Sequence, residues 1–332
     1  MKRILCTLAL CTVPFLSACK KSGESAAGGD EKLTIALLPK SKGNQYFVTC
    51  EKGARAAADE LGAELLFDGP TSSDPAKQNE IVENWISLGV DVIAAAAENK
   101  DGLSTALRKA RAEGIKVITY DADAQPDARS FFVNQATEKG IGDALMDNTA
   151  TLLNGEGEFA ILTANLTAAN QNAWIAAIKA RQAEKYPNMK LVDIKPCDDQ
   201  KDKAQQETTN LLGAYPNLKA VVAVCSPAVP GAAEAVKQAG KTGAVKVLGL
   251  GLPSENKAYV KEGVTQAVIL WKVEDLGYLT IKAAAALAKD ELKAGATEFD
   301  AGKLGKFKIE GDNILLGTPF AFTKENIDQF DF

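Results

Sequence analysis

The sequence predicts an α/β protein built from two doubly wound parallel-sheet lobes. Short, nearly continuous apolar runs alternate with longer amphipathic segments from Leu33 onward, which is typical of βαβ units on a sheet covered on both faces. The alternation pauses after Asn134 and starts again at Glu158, so two series are predicted rather than one. With 332 residues, of which 46% are apolar and 24% charged, the chain is long enough for two cores.

The first series supplies five predicted strands and three predicted helices. Continuous apolar runs indicate the strands, and apolar residues at helical spacing indicate the helices. The strands are predicted at 33–38, 63–68, 91–97, 116–121 and 130–134, and the helices at 47–61, 75–88 and 102–113. Because a helix follows each of the first three strands, we expect the strands to run parallel.

The second series follows a predicted helix over 139–153 and repeats the same pattern. Its strands are predicted at 158–164, 190–195, 219–224, 245–250 and 265–270, and its helices at 172–186, 204–215, 231–239 and 255–262. A long helix over 273–287 and short strand-like pieces at 306–309 and 314–318 complete the chain. We expect a three-segment hinge near 134–137, 271–273 and 318–320. The lobes would then be 33–134 with 272–318, and 135–271 with 319–332.

The amino terminus has the pattern of a secretory signal peptide. Lys2 and Arg3 precede an apolar run from Ile4 to Leu16, which is too short for a membrane-spanning helix. The following residues, Leu-Ser-Ala-Cys, resemble a bacterial lipobox, in which the cysteine receives a diacylglycerol before cleavage. The alternative is an ordinary cleaved signal peptide with an incidental cysteine.

The lipobox resemblance predicts a lipoprotein held on the periplasmic side of the cell envelope. Residues 1–18 would be removed, and Cys19 would carry the lipid that anchors the protein to the membrane. The segment 19–32 is rich in Gly, Ser, Ala and charged residues, so it is expected to be a flexible tether.

The composition excludes several classes of function. The chain contains no histidine, which removes Ser-His-Asp and Cys-His nucleophilic sites and histidine-ligated metals. The 38 Lys and Arg against 43 Asp and Glu give a formal net charge of −5, which argues against a nucleic-acid partner. No cysteine spacing is typical of a zinc site. We expect no metal, no cofactor and a monomeric protein.

Two of the cysteines in the body of the chain fall at predicted strand ends. Cys197 and Cys225 both lie in the second series, and an extracytoplasmic compartment permits disulfides. The strands that precede them are not expected to be neighbours. A disulfide and a pair of small buried apolar side chains therefore both remain open.

Aromatic and polar side chains follow the predicted strands, where open α/β sheets bind ligands. A sugar-like ligand needs flat apolar faces and short polar groups that donate and accept hydrogen bonds. The candidate faces are Tyr46, Phe47 and Trp271, and the candidate polar partners are Lys40, Asp121, Asp123, Asn170 and Gln171. The alternatives are core packing for the aromatic residues and turn, solvent-exposed or helix-capping roles for the polar ones.

Several stretches in order carry a resemblance to a known family: IALLPKSKGNQYF, GAELLFDGPTSS, ARAEGIKVITYDAD, NQNAWI, LGLGLPSEN, ILWKVEDLGY and FTKENIDQFDF. The chain resembles the periplasmic sugar-binding proteins of ABC importers, in the branch that binds rhamnose or the furanose-like signal autoinducer-2. The resemblance covers nearly the whole mature chain. It implies the type I periplasmic binding protein fold, a small sugar held between the lobes, and delivery to the permease of an ABC importer.

The resemblance also implies roles for individual residues. The lysine and aspartate that autoinducer-2 binders use correspond to Lys40 and to Asp121 or Asp123. Their Asp-Gln pair corresponds to Asn170 and Gln171, and their alanine after the third strand of the second lobe falls on Ser226. Sugar binders of the fold stack the ligand on aromatic residues at the positions of Tyr46 and Phe47, and Trp271 falls at another cleft position. NQNAWI, GLGLPSEN and WKVEDLGY are more similar to the rhamnose branch.

These features predict a binding protein rather than an enzyme. A saccharide hydrolase needs two carboxyl groups flanking the scissile bond, whereas Asp121 and Asp123 would point to opposite faces of a strand. We expect the lobes to close on the ligand about the hinge. An alternative function is a tethered sensor that presents its ligand to a membrane receptor.

Overall fold

The computed structural model of the protein describes residues 32–332. The predicted signal peptide, Cys19 and the tether up to residue 31 lie outside the described residues. The strands are β1 (Thr34–Leu38), β2 (Glu64–Phe67), β3 (Val92–Ala95), β4 (Lys116–Tyr120), β5 (Phe131–Asn134), β6 (Gly157–Thr163), β7 (Met189–Pro196), β8 (Leu218–Ala223), β9 (Lys246–Leu250), β10 (Thr265–Leu270), β11 (Glu298–Asp300), β12 (Lys306–Glu310), β13 (Asn313–Leu315) and β14 (Phe320–Phe322).

The helices follow the strands in the order that the sequence predicts. They are α1 (Gln45–Leu61), α2 (Pro75–Leu88), α3 (Lys100–Ala112), α4 (Glu138–Leu153), α5 (Ala169–Lys185), α6 (Lys201–Ala214), α7 (Ala228–Gln238), α8 (Pro253–Lys261) and α9 (Val273–Ala288). Asn44 begins α1 because its side chain accepts a hydrogen bond from the Tyr46 N–H, at 2.9 Å, and Asp74 begins α2 in the same way. Among these helices none is long and apolar enough to cross a membrane.

Two sheets form the centres of two lobes. The first lobe contains an eight-stranded sheet in the order β11-β12-β13-β5-β4-β3-β1-β2, and the second a six-stranded sheet in the order β14-β10-β9-β8-β6-β7. Pairing is parallel except at β11, β12 and β14. Among the central strands, β3 is apolar and buried along its whole length, and β8 is so except at the exposed Lys219, as a sheet covered on both faces requires. The predicted fold class, two doubly wound parallel-sheet lobes, is confirmed.

The chain passes between the two sheets three times. It leaves the first sheet after β5, since α4 packs on α5 and on the second sheet. It returns after β10, because α9 packs on α1, and it leaves again between β13 and β14. The antiparallel pairing of β14 with β10 was not predicted from the sequence.

The contact between α1 and α9 depends on two glycines. A Cβ atom at Gly53 would lie 1.7 Å from the carbonyl oxygen of Glu274, and one at Gly277 would lie 1.9 Å from that of Cys50. Only glycine permits this approach of the two backbones. The contact fixes α9 against the helix whose first turn carries the predicted aromatic residues.

Candidate functional site

A cavity of about 50 Å³ lies between the lobes, at the carboxyl ends of the parallel strands. Most of the predicted site residues line it: Lys40, Tyr46, Phe47, Asp121, Asn170, Gln171, Ser226 and Trp271. The cavity is small compared with ordinary ligand pockets, which enclose roughly 300 Å³ or more. Side chains of the two lobes hydrogen bond directly to one another across the cleft, so this conformation is a closed one.

Aromatic rings form one wall of the cavity. The rings of Tyr46 and Trp271 meet edge to face with their centroids 6.2 Å apart, and Phe47 packs against Tyr46 at 5.1 Å. Trp174 of α5 lies 6.4 Å from Trp271 and brings an aromatic face from the second lobe. Such rings offer flat apolar surfaces to the C–H faces of a sugar.

A chain of hydrogen bonds connects this wall to a buried carboxylate. Trp271 Nε1 donates to Tyr46 Oη at 3.0 Å, and Tyr46 Oη donates to Asp121 Oδ1 at 2.8 Å. Burial, together with the neighbouring carboxylate of Asp121, raises the pKa of Tyr46, so the phenol keeps its proton and acts as the donor. The three side chains thereby hold one another in a fixed orientation.

Asp121 occupies a constrained position directly after β4. Its backbone has a φ of 59°, in the left-handed region that few residues other than glycine, asparagine and aspartate adopt. Only 6% of the residue is exposed. Burial raises the pKa of the carboxyl, while Lys40 and the hydrogen bond from Tyr46 act in the opposite direction. A backbone strained in this way is typical of a functional position.

Direct hydrogen bonds join the two lobes around the cavity. Lys40 Nζ donates to Asn170 Oδ1 at 3.1 Å, and Asn44 Nδ2 donates to Asp199 Oδ2 at 2.7 Å. Ser226 Oγ donates to the Oδ1 atom of Asn44 at 3.2 Å. Each bond joins a group from the first lobe to one from the second. The same polar groups can therefore bind a small molecule that enters between them.

Asp199 was missed by the sequence analysis, and so were Asn44 and Trp174. Asp199 follows β7 and has a φ of 56°. Burial raises its pKa to about 6, although the hydrogen bond from Asn44 and the charge of Lys40 oppose that shift. A signal for Asp199 was present, because two consecutive aspartates follow a predicted strand there. A signal for Trp174 was also present, because it lies four residues after Asn170, on the same face of a helix.

The side chain of Gln171 supports the site by holding the loop that follows β6. Its Oε1 atom accepts hydrogen bonds from Thr163 Oγ1 at 2.6 Å and from the backbone N–H of Ala164 at 2.7 Å. Both lone pairs of the carbonyl are therefore used to hold the loop that follows β6. The amide NH₂ is the part of this side chain that a ligand could still contact.

The structure does not bring Asp123 to the cavity. Its carboxylate accepts hydrogen bonds from Arg129 Nε at 3.0 Å and Nη2 at 2.7 Å, and from Thr119 Oγ1 at 2.5 Å. Arg129 is 3% exposed and also pairs with Asp312. Asp123 borders a neighbouring cavity of about 120 Å³, which Asp121, Asn170 and Trp174 also line. The two aspartates that follow β4 thus have different surroundings.

Little in the described part of the chain offers metal or nucleophilic chemistry. Residues 32–332 contain no group of three or more His, Cys, Asp or Glu side chains arranged to hold a metal ion. Arg129 binds one of the two neighbouring aspartates, and the other accepts a hydrogen bond from Tyr46. The arrangement is suited to holding a polar molecule.

Comparisons with known proteins agree with this geometry. The family model described as "Periplasmic binding protein domain" matches residues 35–292. A D-ribose/D-allose-binding protein of Pseudomonas aeruginosa is 31% identical over 245 residues, which cover 70% of this chain and 75% of that protein. The D-allose-binding periplasmic protein of Escherichia coli is 28% identical over 85% of this chain and 91% of its own length.

Two solved structures extend the comparison. An ABC transporter solute-binding protein from Clostridium phytofermentas, with bound L-rhamnose, is 33% identical with a TM-score of 0.87, over 91% of this chain and 98% of that one. A solute-binding protein from Burkholderia graminis, in complex with D-arabinose, is 27% identical with a TM-score of 0.80, over 92% and 100% of the two chains. These relatives are named as binding proteins of transporters, which confirms the prediction that the chain is not an enzyme. The chain belongs to the periplasmic binding protein family, among the extracytoplasmic solute-binding proteins of ABC importers.

Proposed function

We propose that the protein binds a neutral monosaccharide between its lobes and delivers it to the permease of an ABC importer. The observation that carries this proposal is the composition of the interlobe cavity. Four aromatic rings border the cavity. Polar groups from both lobes also border the cavity, and they hydrogen bond to one another across it. Hydroxyl groups of a sugar can replace those cross-lobe bonds one for one.

The charges around the cavity favour a neutral ligand with many hydroxyl groups. Asp121 and Asp199 can accept hydrogen bonds, while Lys40 can only donate them. One ammonium group lies between two carboxyl groups, so a ligand with a charge of either sign would meet a group of the same sign. A polyol avoids that repulsion, and a hydroxyl bonded to a carboxylate gains a charge-assisted hydrogen bond.

The lining of the cavity includes apolar side chains that suit a methyl group. Val224, Leu250 and Leu270 contribute these side chains, beside the aromatic rings and the polar groups. A 6-deoxyhexose such as L-rhamnose carries a methyl group where ordinary hexoses carry a hydroxyl. We therefore propose a 6-deoxyhexose as the ligand. The 33% identity to the structure with bound L-rhamnose supports the same choice.

A pair of matched sugars tests this proposal. L-Rhamnose and L-mannose differ only in the 6-hydroxyl group, and burying a hydroxyl without a partner costs about 1–3 kcal/mol. Isothermal titration should therefore show L-rhamnose binding roughly 10- to 100-fold more tightly than L-mannose. D-Ribose, D-allose and autoinducer-2 complete the panel, because relatives with these ligands share the fold. Equal affinity for the two matched sugars would refute the role of the apolar lining residues. A panel without any binder would refute the proposed function itself.

Closure of the lobes is the mechanism we propose for capture. A ligand that contacts both lobes stabilises the closed form through its greater affinity for that form. The segments between β5 and α4, β10 and α9, and β13 and β14 would act as the hinge. The importer would recognise the closed shape of a monomer.

Anchoring through Cys19 is also a proposal, supported by the lipobox-like Leu16–Cys19 sequence. In cells that express the full chain and are supplied with a labelled fatty acid, the wild-type protein should incorporate the label and the Cys19→Ser variant should not. Cys11→Ala is the matched control and should incorporate the label, since Cys11 lies in the apolar run that precedes the cleavage point. A Cys19→Ser protein that still incorporates the fatty acid would contradict the anchor.

A further inference from the structure

Two thiols meet beside the cavity although their strands are not neighbours. Cys197 follows β7 and Cys225 follows β8, and β6 lies between those strands in the sheet. Their Sγ atoms are nevertheless 3.5 Å apart. Cys197 is completely buried and Cys225 is 5% exposed.

Backbone hydrogen bonds explain how the two thiols come together. The N–H of Cys197 donates to the carbonyl of Thr163 at 2.8 Å, and the N–H of Val224 donates to that of Leu162 at 2.9 Å. Both loops are thus tied to the end of β6, one from each side. The two side chains then converge over the end of that strand.

We propose that Cys197 and Cys225 form a disulfide in the exported protein. A disulfide needs its sulfur atoms about 2.05 Å apart, so the two sulfurs, now 3.5 Å apart, must approach by about 1.5 Å. The structure describes both residues as free cysteines, and Cys50 is a third free cysteine in the first lobe. The extracytoplasmic location of the family supplies an oxidising compartment.

The oxidation requires a disulfide-containing oxidant, such as a thiol-disulfide oxidoreductase. One cysteine thiolate attacks the oxidant's disulfide and forms a mixed disulfide, while the other sulfur of the oxidant leaves as a thiolate. The second cysteine loses its proton and displaces the oxidant, which departs as a dithiol. Two S–H bonds are lost and one S–S bond forms, and the oxidant takes up two electrons and two protons.

The surroundings indicate when this reaction takes place. The neighbouring Cys197 thiol and burial together raise the pKa of Cys225, so the folded protein contains little of the reactive thiolate. Oxidation is therefore fastest before the second lobe has folded around the two cysteines. The disulfide is a structural bond made during folding after export, and the folded protein should oxidise slowly.

The bond would fix two loops that belong to the cavity. Asp199 follows Cys197 by two residues, and Ser226 follows Cys225 directly, and both side chains hydrogen bond to Asn44 of the first lobe. Crosslinking the loops holds these groups at a constant separation. This effect on affinity rests on the proposed function, whereas the existence of the disulfide does not.

Peptide mapping of the full chain after export tests the disulfide directly. Free thiols are alkylated in denaturant without reductant, and the protein is then digested and analysed by mass spectrometry. We expect Cys50 to be alkylated, and Cys197 and Cys225 to appear as one linked peptide pair that lacks two hydrogen atoms. Quantitative alkylation of both residues without reductant would overturn the proposal, whatever ligand the protein binds.

Thermal melting with and without reductant provides a second, independent measurement. For the wild-type protein and for Cys50→Ala, reduction in denaturant followed by refolding should lower Tm by on the order of 5–10 °C. The double variant Cys197→Ala/Cys225→Ala should melt at the same temperature with or without reductant. A reductant-dependent shift in the double variant, or its absence in the wild type, would contradict the assignment.

Discussion

Replacing Asp121 by asparagine should separate ligand binding from stability. Asparagine has nearly the same size and also adopts the left-handed backbone conformation that this position requires, with its φ of 59°. Its carbonyl oxygen can still accept the hydrogen bond that Tyr46 donates at 2.8 Å. The substitution therefore removes the negative charge and leaves the local geometry in place.

The structure predicts that this substitution weakens ligand binding without lowering the stability of the fold. Hydrogen bonds to charged groups contribute about 1.5–3 kcal/mol, so loss of the carboxylate should weaken sugar binding roughly 10- to 150-fold. Burial raises the pKa of Asp121 in this closed conformation, which means that the ionised carboxylate destabilises it. Asp121→Asn should thus melt at the wild-type temperature or above it while it binds ligand poorly.

Asp123→Asn is the matched control, because this aspartate pairs with the buried Arg129. Removing one partner of a buried ion pair lowers the free energy of unfolding by several kcal/mol. Because Arg129 would still pair with Asp312, we expect the free energy of unfolding to fall by about 2–3 kcal/mol. Tm should then fall by roughly 4–10 °C while affinity stays within about threefold of wild type. Titration calorimetry measures the affinity of both variants, and thermal melting measures their stability. Affinity that is retained in Asp121→Asn and lost in Asp123→Asn would refute the assignment of the two residues.

Two further predictions concern pH and helix packing. The pKa of Asp199 is raised from 3.8 to about 6 in the closed conformation, so the closed protein binds this proton more tightly than the unfolded chain does. Urea unfolding of the sugar-bound protein should therefore show a contribution to the free energy of unfolding that is complete below pH 4 and is lost as pH rises through 6. This contribution is at most about 3 kcal/mol, and Asp199→Asn should abolish it. Gly277→Ala should cost about 3 kcal/mol, because its Cβ would lie 1.9 Å from a carbonyl oxygen of α1. In the same unfolding assay Gly213→Ala should be neutral or slightly stabilising, because nothing lies within 4 Å of its Cβ.

The sequence predicted the fold because its central strands are buried on both faces. A strand such as β3 must be apolar throughout, and the helices between such strands must be amphipathic, so both appear as simple patterns. The short strands β11 and β14 have three residues each and lie at the edges of their sheets. So little of their length is buried that no periodicity marks them.

The site was predicted in part, for a reason that Asp121 and Asp123 illustrate. Both follow the same strand, and although the sequence predicts that they point to opposite faces, it does not show which of the two faces the cavity. Arg129 separates them in the structure, because it pairs with Asp123 and draws that carboxylate away from the cavity. Two consecutive aspartates after a predicted strand did mark the position of Asp199, but its contact with Asn44, a residue 155 positions away, forms only when the lobes meet. Contacts of this kind depend on tertiary structure, so the local pattern alone did not identify Asp199 as a site residue.

Small-angle X-ray scattering of the protein with and without L-rhamnose tests the central claim most directly. The cross-lobe hydrogen bonds of Lys40 and Asn44 describe a closed form, and a sugar that binds between the lobes should stabilise it. We predict a smaller radius of gyration at saturating sugar, with a scattering curve that matches residues 32–332 of the structure, and a larger radius without sugar. An unchanged curve on addition of a sugar that calorimetry shows to be tightly bound would contradict capture by closure.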